Sequence, residues 1–274
     1  MKRERRVIAT TRVDRHYTRI SRGAFEDTVS TSDGRYKPIL IEHDWRIPPV
    51  GRWWPAEVVA EPDGEFSLVA ENELFEPGDE NLPCTDGREF KPIAPREKEV
   101  AISVGPEFLT VEGKPLIQEL GRLTGRRPGF EARKSAEPPD VVVISVGVFI
   151  LGQVAQGFVQ ALTADVYAQI KRAIGSLFAT RARPEREQHL KLDLFFERQG
   201  VQVMLIQADT TPIGVEAALG RGITELDELL PALLADIPEL RLVVTEYTPR
   251  GVRICYGLRR DGIPLRLGRA QKQA

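Results

Sequence analysis

The stretch Tyr36-Lys-Pro-Ile-Leu-Ile-Glu-His43-Asp44-Trp-Arg-Ile-Pro-Pro-Val-Gly51-Arg-Trp-Trp54 is the segment around which the first half of this chain is organised. An apolar run, residues 39–41, leads directly into the pair His43-Asp44, and Pro48-Pro49 ends the segment. This order predicts a buried strand with His43 at its exposed end. A histidine in such a place can take a proton from a nucleophile near neutral pH, whereas the simpler interpretation is a hydrogen-bonded surface pair of His43 with Asp44.

Composition limits the possible partners and the compartment. The 274 residues include 38 basic and 40 acidic side chains, and the net charge of −2 gives no global field that favours nucleic acid or an anionic membrane. The two cysteines, Cys84 and Cys255, form neither a disulfide framework nor a zinc-ligand spacing. The basic N-terminus is not followed by an apolar signal segment. These features predict a cytoplasmic protein without a metal or other cofactor.

The first half reads as β-rich. A turn at Pro62-Asp63-Gly64 joins two predicted strands, and a second hairpin is predicted to turn at Glu112-Gly113-Lys114. The predicted strands cover residues 7–13, 57–61, 65–70, 100–111 and 115–120, a short helix covers 24–29, and a long polar loop covers 77–99.

The chain length predicts about two domains. Residues 126–140 are charged and rich in proline and glycine, which predicts a linker between a β-rich domain, 1–125, and a smaller α+β domain, 141–274. Strands over 190–197, 201–208, 240–247 and 252–258, with a helix over 224–236 capped by Thr224, predict a four-stranded antiparallel sheet in the second domain.

The second domain begins with an uncharged stretch, residues 141–164, which predicts a long apolar helix over 146–174. Gln153, Gln156 and Gln160 give this helix a polar stripe, so it is expected to lie on a sheet or on a second copy of the chain. Self-association through the 146–174 helix, with Phe149 and Phe158 in the contact, is therefore expected. Contact with a membrane is the alternative.

Ser103 is the candidate nucleophile for His43. It lies in Val100-Ala-Ile-Ser-Val-Gly105, where a strand presents its hydroxyl and Gly105 allows close approach of backbone N–H groups to an oxyanion. A serine on the polar face of a strand is the structural alternative.

Several stretches resemble the prohead (capsid-maturation) serine proteases of tailed phages, which share a fold with the herpesvirus assemblins. They are Asp14-Arg15-His16, Ile20-Ser-Arg-Gly23-Ala24-Phe25, Ile39-Leu-Ile-Glu-His43-Asp44, Pro49-Val-Gly51-Arg52, the Asp63-Gly64 hairpin and Ile102-Ser103-Val-Gly105. The resemblance covers about residues 7–124. It implies a barrel-like protease domain in which His43 is the general base and Ser103 the nucleophile. Glu119, or alternatively Asp140, would complete the site.

Two functions follow as expectations. The first is a serine endopeptidase that forms an acyl-enzyme on Ser103 and cleaves a protein or peptide substrate, as in phage capsid maturation. The second is a non-enzymatic assembly or interaction protein, phage structural or related to host defence, that keeps the protease-like β fold. Metal-dependent hydrolysis through His43 and Asp44 lacks further ligands in the sequence.

Overall fold

The computed structural model of the chain describes residues 2–13, 19–32, 35–41, 44–79, 89–90, 100–130, 140–147, 164–180, 188–196 and 199–267. Within these residues the chain is a mixed α+β protein with two sheets. It divides into two compact units, the first made of Met1–Lys91, Arg133–Glu137 and Leu258–Leu265, the second of Pro92–Ala132, Pro138–Gly257 and Arg266–Ala274. The second unit thus contains residues from both sides of the 126–140 segment, and the division into domains 1–125 and 141–274 stays a prediction.

The first unit contains an antiparallel sheet in the order β1-β4-β3-β2. Its strands are β1 (Lys2–Thr10), β2 (Lys37–Ile39), β3 (Gly51–Ala60) and β4 (Phe66–Leu74). The predicted β3–β4 hairpin is confirmed, and Gly64 in its turn has a φ of 81°, a left-handed conformation that favours glycine. The described strands form an open sheet, so the barrel-like arrangement expected for this region is corrected.

Helix α1 (Arg22–Ser32) packs against β3 and buries Phe25, which is 2% exposed. The helix was predicted over residues 24–29, and Ser21 caps it by accepting a hydrogen bond from the N–H of Ala24 at 3.2 Å. The helix extends beyond the prediction at both ends, and the hydroxyl of Thr28 donates to the carbonyl of Ala24 one turn earlier at 2.8 Å.

Strand β2 is a short edge strand, and this corrects the prediction of a buried strand over residues 39–41. All three residues of β2 are half-buried, and Ile41 beyond its end is 41% exposed. The chain then turns, with the N–H of Asp44 donating to the carbonyl of Ile41 at 2.9 Å. His43 lies outside the described residues.

A buried ion pair joins β3 to β4 in the first unit. Arg52 and Glu73 are 5% and 8% exposed, and Nε and Nη2 of Arg52 lie 2.7 and 2.6 Å from Oε2 of Glu73. The guanidinium of Arg52 also lies 4.0 Å from the centre of the Tyr36 ring and donates to the carbonyl of Asp261. Each charge is thus compensated where water cannot reach it.

The second sheet has eight strands in the order β12-β11-β10-β9-β8-β7-β5-β6. Neighbouring strands run parallel in the pairs β5/β6, β7/β8 and β9/β10, and antiparallel in β5/β7 and β8/β9. The strands are β5 (Val100–Val104), β6 (Gly129–Phe130), β7 (Asp140–Gly147), β8 (Gln188–Phe196), β9 (Val201–Gln207), β10 (Leu240–Thr248), β11 (Gly251–Arg259) and β12 (Pro264–Leu265). The four strands predicted after residue 190 are present, but they belong to this larger mixed sheet and not to a four-stranded antiparallel one.

Four α-helices of the second unit lie within the described residues. They are α2 (Gly113–Thr124), α3 (Ala164–Ala179), α4 (Pro212–Ala217) and α5 (Ile223–Asp236), with a π-helical turn, Ala218–Gly222, between the last two. The rings of Phe108 and Phe178 meet edge to face at 5.5 Å, next to the contact of α2 with α3. The cap expected at Thr224 is wrong, because Thr224 lies inside α5, which has no side-chain cap. The preceding helix α4 is capped by Thr211, whose hydroxyl accepts from the N–H of Gly214 at 3.1 Å.

The second predicted hairpin is wrong, because α2 replaces its outer strand. Leu116, Ile117, Leu120 and Leu123 recur at helical spacing, and Ile117 and Leu120 are buried. Pro115 lies in the first helical turn, where its missing N–H has no intrahelical partner to lose.

Of the predicted apolar helix over 146–174, residues 146–147 belong instead to β7, whose β-branched valines and isoleucine favour a strand. Residues 164–174 are helical as predicted and form the first part of α3. Phe149 and Phe158 lie outside the described residues, so self-association through this segment stays a prediction. None of the helices in the described parts of the chain has the length and apolar character needed to cross a bilayer.

Replacing Glu73 with Leu leaves the charge of Arg52 buried without its counter-charge. We expect the free energy of unfolding of the first unit to fall by about 3–5 kcal/mol. Urea denaturation followed by tryptophan fluorescence measures this change, since the buried Trp54 belongs to the same unit. The matched control Asp63→Asn breaks an exposed pair with Arg12 and should leave the midpoint almost unchanged. A Glu73→Leu variant as stable as the control would contradict the structural role of the buried pair.

Candidate functional site

Ser103 lies on the less buried face of β5. Val100, Ile102 and Val104 alternate with it and are 6%, 3% and 0% exposed, so they belong to the core, whereas Ala101 and Ser103 are half-buried. The hydroxyl of Ser103 has no hydrogen bond to another described residue. Ser103 therefore presents a hydroxyl that no described group holds in place.

Gly129 makes room for this hydroxyl. It is the register partner of Ser103 on β6, and it is exposed. A Cβ atom at position 129 would lie 2.8 Å from Oγ of Ser103, which is closer than real Cβ contacts. The side chain of Ser103 thus leans over the glycine at the edge of the sheet, where β6 is the last strand of the described order.

A carboxylate lies at the end of β5. The carboxyl group of Glu107, in the 3-10 turn Pro106–Phe108, occupies the position that a Cβ atom of Gly105 would take. A side chain at position 105 would displace the carboxyl group of Glu107 from this place. A negative charge there opposes the oxyanion stabilisation that the sequence suggested for the amides near Gly105.

Three charged or titratable side chains follow one another on a single face of β8. His189, Lys191 and Asp193 alternate with the core leucines of that strand, and Nζ of Lys191 lies 3.3 Å from Oδ2 of Asp193. Asp193 is 6% exposed, and its Oδ1 has no hydrogen-bond partner among the described residues. The charged pair is thus largely withdrawn from water, where its mutual attraction is strong.

The strand register puts Ser103 in the same row as Lys191. Ser103 is opposite Val143 on β7, and Val143 is the partner of Lys191 on β8. Two strand spacings separate the Cα atoms of Ser103 and Lys191 by about 10 Å. Directly paired residues share a face of the sheet, so the hydroxyl and the ammonium group lie on the same side.

Sequence reasoning did not find the charged face of β8. Its signal was present in His189-Leu-Lys-Leu-Asp193-Leu, where polar and apolar residues alternate perfectly. Such a pattern is typical of a strand with one solvated face, and nothing local shows that this polar face is also largely buried.

Glu119 does not lie on the strand where it was expected. It is on α2, half-buried, and its two carboxylate oxygens accept hydrogen bonds from Nη2 and Nε of Arg122 at 2.6 and 2.9 Å. The hydrogen bond with Arg122 holds the pKa of Glu119 below its usual value. The structure therefore joins Glu119 to Arg122 and not to Ser103.

The other predicted site residues are placed as follows. Asp140, the alternative third residue, begins β7 three residues before Val143, so its Cα lies about 10 Å along the strand from the position opposite Ser103. Asp44 accepts hydrogen bonds from the backbone and the side chain of Arg46, the shortest at 2.8 Å, and so stabilises its own turn. No group of three metal-ligating side chains is present among the described residues.

Neutralising Arg122 should raise the pKa of Glu119. In the wild type the carboxylate is stabilised by the guanidinium, so the ion pair is present above the usual carboxyl pKa and is lost as the pH falls through the lowered value. We expect the Arg122→Gln variant to titrate Glu119 at its usual pKa, as measured by carbon-detected NMR of the side-chain carboxyl group. Asp63, whose pKa is lowered by Arg12, is the internal control and should not change. A value for Glu119 that is the same in both proteins would contradict the pairing.

Comparisons with protein-family models, with curated proteins and with solved structures find no match to this chain. The resemblance to the prohead proteases therefore rests on the sequence stretches between Asp14 and Gly105. Of the two residues to which it gives a chemical step, Ser103 lies within the described part of the chain and His43 does not.

Proposed function

We propose that this chain is a serine endopeptidase with Ser103 as nucleophile and His43 as general base. The observation that carries the proposal is the environment of Ser103: a half-buried hydroxyl, held by no described group, beside an exposed glycine at the sheet edge. A peptide carbonyl can approach such a hydroxyl from the side of Gly129. A structural serine in a half-buried strand usually satisfies its hydroxyl with a neighbouring carbonyl.

The proposed reaction has two steps. Oγ of Ser103 attacks the carbonyl carbon of the substrate while His43 takes the hydroxyl proton, and His43 then gives this proton to the leaving amine. Water, deprotonated by His43, hydrolyses the resulting ester and regenerates Ser103. Negative charge develops on the carbonyl oxygen in both steps, so the carboxylate of Glu107 has to turn away from Gly105 if the amides there are to stabilise it.

The engagement of Glu119 by Arg122 does not support Glu119 as the group that orients His43. A half-buried carboxylate with a bidentate arginine partner would exchange that partner for an imidazole with little gain. The orienting group of the proposed site therefore has no assignment among the described residues.

A non-enzymatic interaction protein is the second candidate, and the charged face of β8 favours it. Lys191 and Asp193 already neutralise each other on the sheet face that contains Ser103, which is typical of structural ion pairs in a sheet. In that case Ser103 is only a small side chain that fits beside β6, and its hydroxyl has ordinary reactivity.

A fluorophosphonate probe distinguishes the two candidates. We expect stoichiometric labelling of Ser103 in the full chain, with complete loss in Ser103→Ala and a rate about 10²-fold or more lower in His43→Ala, since a general base is then missing. Mass spectrometry of the labelled peptide identifies the site. Ser30→Ala is the matched control, because Ser30 is exposed and its hydroxyl already donates to the carbonyl of Asp27 at 3.1 Å. Absence of labelling in a folded wild type would refute the peptidase proposal.

Adding a methyl group at position 129 should slow this reaction. Gly129→Ala places Cβ within 2.8 Å of Oγ of Ser103 and forces the hydroxyl into another rotamer. We expect labelling about tenfold slower with unchanged thermal stability. Gly220→Ala, where no atom lies within 4 Å of the new Cβ, is the control and should label at the wild-type rate. Equal rates in the two variants would show that the orientation of the hydroxyl over Gly129 has no part in its reactivity.

A further inference from the structure

A groove of about 680 Å3 follows α2 and the loop after it, in the second unit. Its size lies within the usual range of ligand sites. None of the residues discussed as the peptidase site lines it. Its lining combines four cationic side chains, Lys114, Arg122, Arg126 and Arg127, with aliphatic ones.

Two glycines give the groove its shape. Gly125 ends α2 in a left-handed conformation with a φ of 67°, and the N–H of Arg126 donates to the carbonyl of Gly121 at 3.0 Å. At Gly121 a Cβ atom would lie 2.9 Å from both the Arg126 carbonyl and the Pro128 ring. The loop can fold back along the helix only because residue 121 has no side chain.

The cationic side chains of the groove carry more positive charge than is needed to balance the partial negative charge at the C-terminus of α2. Cations near the C-terminus of a helix interact favourably with its partial charge of about −0.5. Glu119 pairs with Arg122, but no acidic side chain among the described residues lines the groove. Lys114 and Arg127 are exposed, and no described acidic group pairs with either. The groove therefore keeps a net positive charge that faces solvent.

The floor of the groove is aliphatic. Ile117 and Pro128 are buried beneath it, Leu109 at its edge is 41% exposed, and Val111 just beyond is 82% exposed. Within the described part of the chain, no aromatic side chain lines the groove. Single-stranded nucleic acids bind through aromatic stacking as well as charge, so this lining fits a polypeptide better than an oligonucleotide.

We propose that the groove binds an acidic polypeptide segment, with carboxylates on Lys114 and Arg127 and aliphatic side chains on Leu109 and Ile117. Charge complementarity brings the segment to the groove, and the apolar floor makes it prefer carboxylates that alternate with leucine-like residues. The surface is independent of the reactivity of Ser103, and it serves a peptidase and an interaction protein alike.

Binding is measured in the full chain carrying Ser103→Ala, so that no cleavage occurs. The probe is a short fluorescein-labelled peptide that repeats Glu-Leu-Asp, and its counterpart repeats Gln-Leu-Asn. We expect fluorescence anisotropy to show saturable binding of the acidic peptide alone, weakened by salt. The double variant Lys114→Glu/Arg127→Glu should bind it at least about tenfold more weakly.

The matched control is Arg250→Glu/Arg266→Glu, which changes the net charge equally at two exposed positions of the same unit that do not line the groove. It should retain the affinity of the parent, and circular dichroism should show both double variants to be folded. Equal binding of the acidic and neutral peptides would overturn the proposal. Equal loss in the two double variants would do the same. Displacement of the peptide by a single-stranded oligonucleotide at a lower concentration than by unlabelled peptide would overturn it in favour of nucleic acid.

Discussion

The second unit depends on the burial of strand β8 between β7 and β9. Leu190, Leu192 and Leu194 alternate along β8 and are 2%, 1% and 0% exposed. Burying each such side chain contributes about 1.5–3 kcal/mol. A shift of β8 by one residue would move all three leucines to the opposite face, so the register with both neighbours is fixed. The fixed register of β7 in turn positions β5, which carries Ser103.

The same alternation puts Lys191 and Asp193 on the other face of β8, where they also lie largely out of water. Burying two charges is tolerated only when they meet, and their separation of 3.3 Å provides that contact. Ser103 shares this face through Val143. On this face Lys191 and Asp193 compensate each other's charge, whereas the hydroxyl of Ser103 has no hydrogen bond to a described residue. This lack of a described hydrogen-bond partner, more than the fact that residue 103 is a serine, makes Ser103 a candidate nucleophile.

Features set by local chemistry were predictable from the sequence, and features set by distant pairing were not. The Asp63-Gly64 turn requires a positive φ, which the structure has at 81°, and the hairpin that it closes was predicted correctly. Residues 113–124 were misread because Gly113-Lys114 is also typical of a turn, although the leucines that follow have helical spacing. Residues 141–147 were misread because an uncharged run lacks the alternation that separates a strand from a helix.

Ser103 could be singled out from its neighbours, but its contact with Gly129 joins residues that no sequence pattern connects.

Two consecutive residues connect the basic groove to Ser103. Pro128 lines the groove, and Gly129, the next residue, is the register partner of Ser103 on β6. In the described sheet β6 is an edge strand, so the outer side of its backbone is open to pairing with an extended segment. A polypeptide that leaves the groove along this edge passes beside the Ser103 hydroxyl. An interaction protein would use that edge for backbone hydrogen bonds, and a peptidase would use it to present a carbonyl. In both cases the proposed role of the groove is to bind a polypeptide. Only the reactivity of Ser103 distinguishes a peptidase from an interaction protein.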